Sequence, residues 1–139
     1  MTNSHDLVYN WLKLIKEKYK IDTTAFVIMP NHVHLILHLN KPVNLNTIIS
    51  NGKRFMAYEI ITRLKTQDEN AILLKLSKAC TDKEKSKGQI HKVFEPSFDA
   101  KAILTNHFLF QKLDYIHPIS GKWNLAETFI DYQHSSGCF

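Results

Sequence analysis

The sequence has few cysteines, no long apolar run and no basic-then-apolar start. Its two cysteines, Cys80 and Cys138, show no paired spacing, so we expect free thiols in a reducing cytoplasm. The longest apolar stretch, Val33 to Leu39, is interrupted by two histidines, whereas a bilayer span needs roughly 20 apolar residues. The first residues lack the pattern of a secretory signal. These absences predict no membrane partner, a cytoplasmic location and one domain over residues 1–139.

Positive charge is in modest excess. The formal net charge is +5 at pH 7, and the isoelectric point is near 9.2. A positive field attracts phosphates without regard to base sequence. Many proteins that bind no nucleic acid are mildly basic, so the charge agrees with a nucleic-acid partner without establishing one.

The pattern of apolar and polar residues predicts an α+β chain. Its expected elements are, in order, a helix over 7–20, strands over 22–29 and 32–39, a helix from Asn44 to about Lys65, a helix over 69–80, a strand over 90–96 and a helix from Thr105 to Pro118. Pro30 and Asn31 separate the two strands, which are most simply the arms of a hairpin. Asn44 is a favourable N-cap residue.

The second strand carries a histidine pair. Side chains alternate along a strand, so His32, His34, Ile36 and His38 share one face, opposite the all-aliphatic face of Val33, Leu35, Leu37 and Leu39. We expect helices to cover the aliphatic face and polar groups to contact the histidines. Two histidines at i and i+2 lie close enough to share a divalent ion. An isolated pair is more often a coincidence, because it supplies too few ligands.

The surrounding residues favour a metal site. The segment from Ala25 to Leu37 reads AFVIMPNHVHLIL, and the segment from Gln111 to His117 reads QKLDYIH. Together, in this order, they resemble the HUH segment and the catalytic helix of the IS200-like tyrosine transposases, in particular the REP-associated branch. GKRFMAYEI and KVFEPSFD resemble the helix and strand between them, so that the likeness runs from about residue 7 to 135.

The resemblance implies a fold, a reaction and a set of partners. It implies a ferredoxin-like antiparallel sheet with helices on one face and a catalytic helix near the His-x-His strand. Tyr115 would attack a DNA phosphodiester and form a 5′-phosphotyrosine link, and His32 and His34 would bind a divalent metal, Mg²⁺ or Mn²⁺. The implied substrate is single-stranded or hairpin DNA, and a homodimer is one possible assembly.

The sequence departs from the family pattern in two places. Two residues are missing after the tyrosine motif, and with them the asparagine expected one turn later to complete the metal shell. Ile119 takes that place, and His117 is the substitute ligand, although position i+2 points away from Tyr115 on a regular helix. The first edge strand of the sheet is also missing. We therefore expect the exposed neighbouring strand to pair with another chain or to be covered by a terminus.

Basic and polar side chains suggest where DNA binds. We nominate Lys53 and Arg54 first, then Lys92 and Lys122. On the helix before Pro118, His107, Gln111 and Tyr115 form a polar stripe at i, i+4 and i+8, opposite Leu109, Leu113 and Ile116. Considered alone, each of these cations, as well as His107 and Gln111, is more often simply a solvated side chain, and Tyr115 is more often a tyrosine that packs its ring on the core.

Other functions are compatible with parts of the pattern. The first is a DNA-binding relic of the same family with weak or no catalysis. Histidine-triad hydrolases need a third alternate histidine where Ile36 stands, two-histidine phosphoesterases need a repeated motif, and rolling-circle replication proteins usually have longer chains. A purely structural metal site or an interaction module is the remaining alternative, and the lack of cysteine near His32 counts against it.

Overall fold

The computed structural model describes residues 4–96, 98–118, 125–128 and 130–138. Its elements are α1 (His5–Tyr19), β1 (Ile21–Ile28), β2 (Val33–Leu39), α2 (Leu45–Thr66), α3 (Asn70–Lys78), α4 (Asp82–Ser86), α5 (Asn106–Ile116) and a 3-10 turn (Ser136–Cys138). In the part of the chain so described, the sheet has two antiparallel strands. The predicted α+β class is confirmed, and the arrangement is consistent with a truncated ferredoxin-like fold.

The chain divides into two compact units. The hairpin unit comprises Val8–Val43 and Ala100–Phe139, and the helical unit comprises Met1–Leu7 and Asn44–Asp99. The hairpin unit contains β1, β2, α5 and most of α1, whereas α2, α3 and α4 belong to the helical unit. A single domain over residues 1–139 stays a prediction.

Two predicted helix starts are confirmed by their capping hydrogen bonds. The Asn44 side chain accepts from the Thr47 backbone N–H at 3.1 Å, and the Thr105 side chain accepts from that of Phe108 at 3.2 Å. Each bond satisfies a backbone donor that has no partner within its helix. At its other end, α5 finishes at Ile116 with His117 as C-cap, one residue before Pro118, because proline cannot continue a helix.

The register of the hairpin brings buried apolar residues to the same face as the histidines. Val27 lies opposite His34 and Ala25 opposite Ile36, and a bulge between Thr23 and Ala25 shifts the pairing. These three apolar residues form a buried cluster with Met29 and Ile116 of α5. Leu109 and Leu113 pack against the same cluster, as the predicted apolar side of α5 requires.

The expected division between the two faces of β2 holds only in part, because apolar as well as polar groups cover the histidine face. Ile36, on the histidine face, is the buried residue of β2, whereas Val33 and Leu39 on the aliphatic face are each 41 % exposed. The reason is that the amphipathic helix α5 covers the histidine face with its apolar side. On the opposite face, Tyr9 of α1 meets Phe26 edge-on, with ring centroids 5.8 Å apart.

The outer edge of β1 is covered by the C-terminal segment. The backbone N–H of Ile28 donates to the His134 carbonyl at 2.8 Å, and Val27 forms an antiparallel bridge with Ser135. Ser136 Oγ accepts from the Phe26 N–H at 3.0 Å, and the Tyr132 hydroxyl donates to the Ile28 carbonyl at 2.6 Å. This pairing is one of the two expected outcomes, in which a terminal segment covers the exposed strand.

Polar contacts organise the helical unit. Arg63 on α2 donates to both carboxylate oxygens of Asp6, at 2.8 and 2.7 Å, and α4 begins with a reciprocal capping box between Thr81 and Glu84. The buried residues of this unit include Ile48, Leu64 and the free thiol Cys80.

None of the helices in the described ranges is long and apolar enough to cross a membrane.

The strand predicted over 90–96 is wrong, since these described residues form no regular structure. The Lys92 backbone N–H donates instead to the carbonyl of Leu76 at the end of α3, at 2.9 Å. Its side chain pairs with Glu84 and Glu95. The end of α3 thus accepts a backbone N–H that a neighbouring strand would otherwise have bound, and ion pairs hold the Lys92 side chain.

Candidate active site

The histidine pair lies where the hairpin turn enters β2. His32 immediately precedes the strand, and the Met29 N–H donates to its carbonyl at 2.7 Å, which closes the turn that contains Pro30 and Asn31. His34 is the second residue of β2. The two imidazole rings are nearly parallel, with 10° between their planes and 6.3 Å between their centroids. The alternation of the strand thus brings both rings to one face, as i and i+2 residues should be.

Burial sets the protonation of His34. Desolvation lowers the pKa of its imidazole, and the neighbouring charge of His32 lowers it further. Both causes disfavour the imidazolium form, because a positive charge loses hydration on burial and is repelled by a second one. His34 is therefore neutral at physiological pH, which is the form that binds metal ions.

Tyr115 lies against this pair. Its ring meets that of His34 edge-on, with centroids 5.8 Å apart and planes at 85°. The buried side chain of Ile116, the next residue on α5, fixes this end of the helix on the hairpin. Tyr115 itself is 49 % exposed. The structure therefore holds a solvent-accessible tyrosine beside two histidines that are 81 and 83 residues away in sequence, counting from His34 and His32.

His117 turns toward the other side. As C-cap it keeps helical backbone angles, and its Nε2 lies 3.4 Å from Ser136 Oγ in the segment that covers β1. Two residues along a helix correspond to about 200° of rotation, so a side chain here diverges from that of Tyr115. Ile119, the residue at the expected ligand position, lies outside the described residues.

The donor set can be compared with what a divalent ion requires. Two neutral imidazoles on one face suit Mn²⁺ and related ions and suit Mg²⁺ less well, since Mg²⁺ prefers oxygen. Within the described ranges, no group of three or more His, Cys, Asp or Glu side chains is placed to hold a metal. The residues thus fit part of a metal shell, and oxygen ligands from water or substrate would have to complete it.

Comparison with protein families identifies the chain. The family model for IS200-like transposases matches residues 2–77, which is 76 of 139 residues. The chain belongs to the IS200-like transposase family. Membership gives it a transposase-like function on DNA. The matched segment of this family member includes His32 and His34, whereas Tyr115 and His117 lie beyond it. Comparisons with curated proteins and with solved structures gave no match.

The cations nominated for DNA contact have different surroundings in this family member. Lys92 pairs with Glu84 at 3.5 Å and with Glu95 at 3.2 Å. Lys53 donates to the Glu95 carbonyl at 2.9 Å, and burial lowers the pKa of its ammonium. Arg54 is exposed and lies 5.5 Å from the centroid of the Phe55 ring. All three are in the helical unit, and Lys122 lies outside the described residues.

Sequence reasoning missed one cation of this transposase. Lys112 lies on α5 between two aromatic residues, with Nζ 5.0 Å from the Phe108 ring centroid and 6.0 Å from that of Tyr115. The spacing contained the signal, since residues at i, i+4 and i+7 of a helix are neighbours along one side. The predicted polar stripe of His107, Gln111 and Tyr115 does not include Lys112, and all three of its residues are exposed.

Proposed function

We propose that this transposase cuts and rejoins single-stranded DNA through a covalent 5′-phosphotyrosine at Tyr115, with His32 and His34 holding a divalent metal, Mg²⁺ or Mn²⁺. The observation that carries the proposal is the edge-on contact of the Tyr115 ring with His34, beside the parallel ring of His32. A buried tyrosine that merely completes the core would not leave half of its surface in solvent, as Tyr115 does.

The chemistry is a transesterification. Tyr115 Oη attacks the scissile phosphorus, a new P–O bond forms, the bond to the 3′ oxygen breaks, and a free 3′-hydroxyl leaves. The phenolic proton passes to solvent, and the leaving oxygen takes up a proton. A later 3′-hydroxyl reverses the step, so rejoining needs no ATP. A divalent ion at His32 and His34 would draw charge from a phosphoryl oxygen. Neutral His34 is in the state needed to hold that ion.

The proposal extends to the substrate, the assembly and the location. It includes single-stranded or hairpin DNA as the substrate, a place in the REP-associated branch, a cytoplasmic location and a homodimer. Lys53, Arg54, Lys92 and Lys122 are the proposed DNA contacts outside α5. His117 is the proposed third ligand, a role that would require its ring to leave Ser136.

The decisive experiment compares the wild type with Tyr115→Phe on single-stranded hairpin DNA and Mn²⁺. We expect a covalent protein–DNA adduct that resists denaturation in the wild type, and complete loss of it in Tyr115→Phe with DNA affinity retained. Tyr58→Phe is the matched control, because Tyr58 is similarly exposed, at 64 %, but lies on α2. An adduct that persists in Tyr115→Phe would contradict the assignment of the nucleophile.

A second candidate function is a DNA-binding relic. It is favoured by the contact of His117 with Ser136, which leaves two histidines on the Tyr115 side. The relic predicts specific binding of hairpin DNA by the wild type with no adduct at any Mn²⁺ concentration. The same experiment therefore separates the two functions.

A further inference from the structure

Lys112 and two aromatic rings form a row along α5. Phe108, Lys112 and Tyr115 follow one another at i, i+4 and i+7, and the ammonium lies 5.0 Å from the first ring centroid and 6.0 Å from the second. Phe108 is fixed at the start of the helix, where its backbone N–H is capped by Thr105. The row thus places a positive charge one helical turn from the hydroxyl-bearing residue of the candidate site.

The charge of Lys112 is not committed to a carboxylate. In the described part of the chain its ammonium makes no ion pair, unlike Lys92, which contacts Glu84 and Glu95. A ring face attracts a cation through its quadrupole, and the N–H groups that point away from the ring stay able to donate. An anion can therefore bind Lys112 without first displacing an acidic partner.

We propose that Lys112 binds a non-bridging oxygen of the scissile phosphate and holds that phosphate in line with Tyr115. The inference rests on the proposed function. Lys112 stays protonated throughout and exchanges no atom with the DNA. Its contribution is a positive charge placed where negative charge builds up on the phosphoryl oxygens during attack. The flanking rings limit the positions of a side chain that would otherwise be mobile, so less entropy is lost when phosphate binds.

The test measures adduct formation separately from binding. Single-turnover adduct rates are taken at saturating hairpin DNA with Mn²⁺, and dissociation constants are taken over a salt series. We expect Lys112→Gln to slow the saturated rate by on the order of 10- to 100-fold, the scale of losing one charged donor at a reacting phosphate. Affinity should fall by only a few-fold, and the salt slope by about 0.7, the value for one contact to a single strand. Lys112→Arg should recover most of the rate.

Lys18 provides the matched control. Its Nζ lies 5.3 Å from the centroid of the Tyr19 ring, so it makes the same kind of contact, but on α1. Lys18→Gln should leave the saturated rate unchanged. Lys112→Met keeps the aliphatic stem against the rings. It should lower the saturated adduct rate as much as Lys112→Gln does, and it should keep the thermal unfolding midpoint of the wild type.

Several results would overturn the proposal. A saturated rate in Lys112→Gln equal to that of the wild type would do so, as would normal activity in Lys112→Met. Unfolding of both neutral variants would show that the role is structural. If the wild type itself forms no adduct, the proposed function fails and the role of Lys112 falls with it. An adduct that is lost in Tyr115→Phe but formed at full rate in Lys112→Gln removes only Lys112.

Discussion

Lys112 on α5 of the hairpin unit is held differently from Arg63 and Lys92, two ion-paired cations of the helical unit. In the helical unit, Arg63 donates to Asp6 and Glu59, and Lys92 lies between Glu84 and Glu95. On α5 of the hairpin unit, Lys112 lies over aromatic rings instead. Both arrangements order a long side chain, but only the second leaves the charge uncompensated by a carboxylate.

The difference explains why net charge alone does not locate a DNA site. A phosphate that binds a paired cation must compete with its carboxylate, so part of the attraction is lost. The net charge of +5 therefore does not show which individual cations are available to phosphate. We infer that the hairpin unit performs the chemistry and that the helical unit contributes to affinity through cations that make no ion pair among the described residues, such as Arg54.

The largest effect that sharpens this comparison is expected within the hairpin unit, from His34→Ala. His34 is the more buried member of the pair and directly contacts Tyr115. Its loss should lower the saturated adduct rate at least 100-fold, roughly the upper range for loss of a residue that supports a metal site. Calorimetry should show weaker Mn²⁺ binding in the absence of DNA.

His38→Ala is the control for that substitution. The side chain of His38 lies on the same face of β2 as that of His34. It is exposed, however, and His38 lies opposite Asp22, near the other end of the hairpin. Its rate and Mn²⁺ affinity should equal those of the wild type. Equal losses in His34→Ala and His38→Ala would mean that the hairpin needs polar residues in general and has no localised site.

A smaller effect is expected in the helical unit, where Arg54→Ala is compared with Lys92→Ala. Arg54 is exposed and makes no ion pair among the described residues, so its loss should weaken binding to all DNA sequences by a few-fold and flatten the salt slope by about 0.7. Lys92→Ala should change affinity less but should lower the thermal unfolding midpoint more, because two carboxylates lose their partner. A larger loss of DNA affinity in Lys92→Ala than in Arg54→Ala would show that ion pairing does not determine which cation binds phosphate.

Local interactions account for what the sequence alone predicts well. Asn44 and Thr105 cap helices through bonds to residues three positions away, and Pro118 ends α5 by its covalent ring. The hairpin follows from two strand patterns around Pro30. His32 and His34 lie on one face because side chains alternate along a strand with a period of two residues. The histidine pair of the candidate site is therefore predictable without any information about distant residues.

What the sequence does not predict depends on distant partners. The burial of Ile36 is decided by α5, which begins 70 residues later at Asn106, and the covering of β1 is decided by Ser135 and Ser136. Residues 90–96 have strand-like composition but meet a helix end and two carboxylates. The contact of Tyr115 with His34 joins α5 to β2, and the family resemblance and the polar stripe on α5 predict it, although no local interaction fixes it.

The smallest expected effect concerns acid, which should release the paired cations of the helical unit but not Lys112. Hydrogen bonds from Arg63 hold the pKa of the Asp6 carboxyl below its ordinary value of 3.8. The unfolded chain therefore binds this proton more readily, and the pair stabilises the folded state at pH values above 3.8 and loses that contribution as pH falls through the lower, folded pKa.

Asp6→Asn should reduce stability slightly near neutral pH and make the free energy of unfolding less dependent on pH in this acid range. Asp6 is half exposed, so solvent limits the effect to a small one. Glu17→Gln, which removes only a 4.0 Å pair between two exposed side chains on α1, is the control and should leave the acid profile as it is in the wild type. Parallel profiles for the wild type and Asp6→Asn would mean that the pair between Asp6 and Arg63 contributes no measurable stability, and Glu59 would then be the carboxylate partner of Arg63 that could still compete with phosphate.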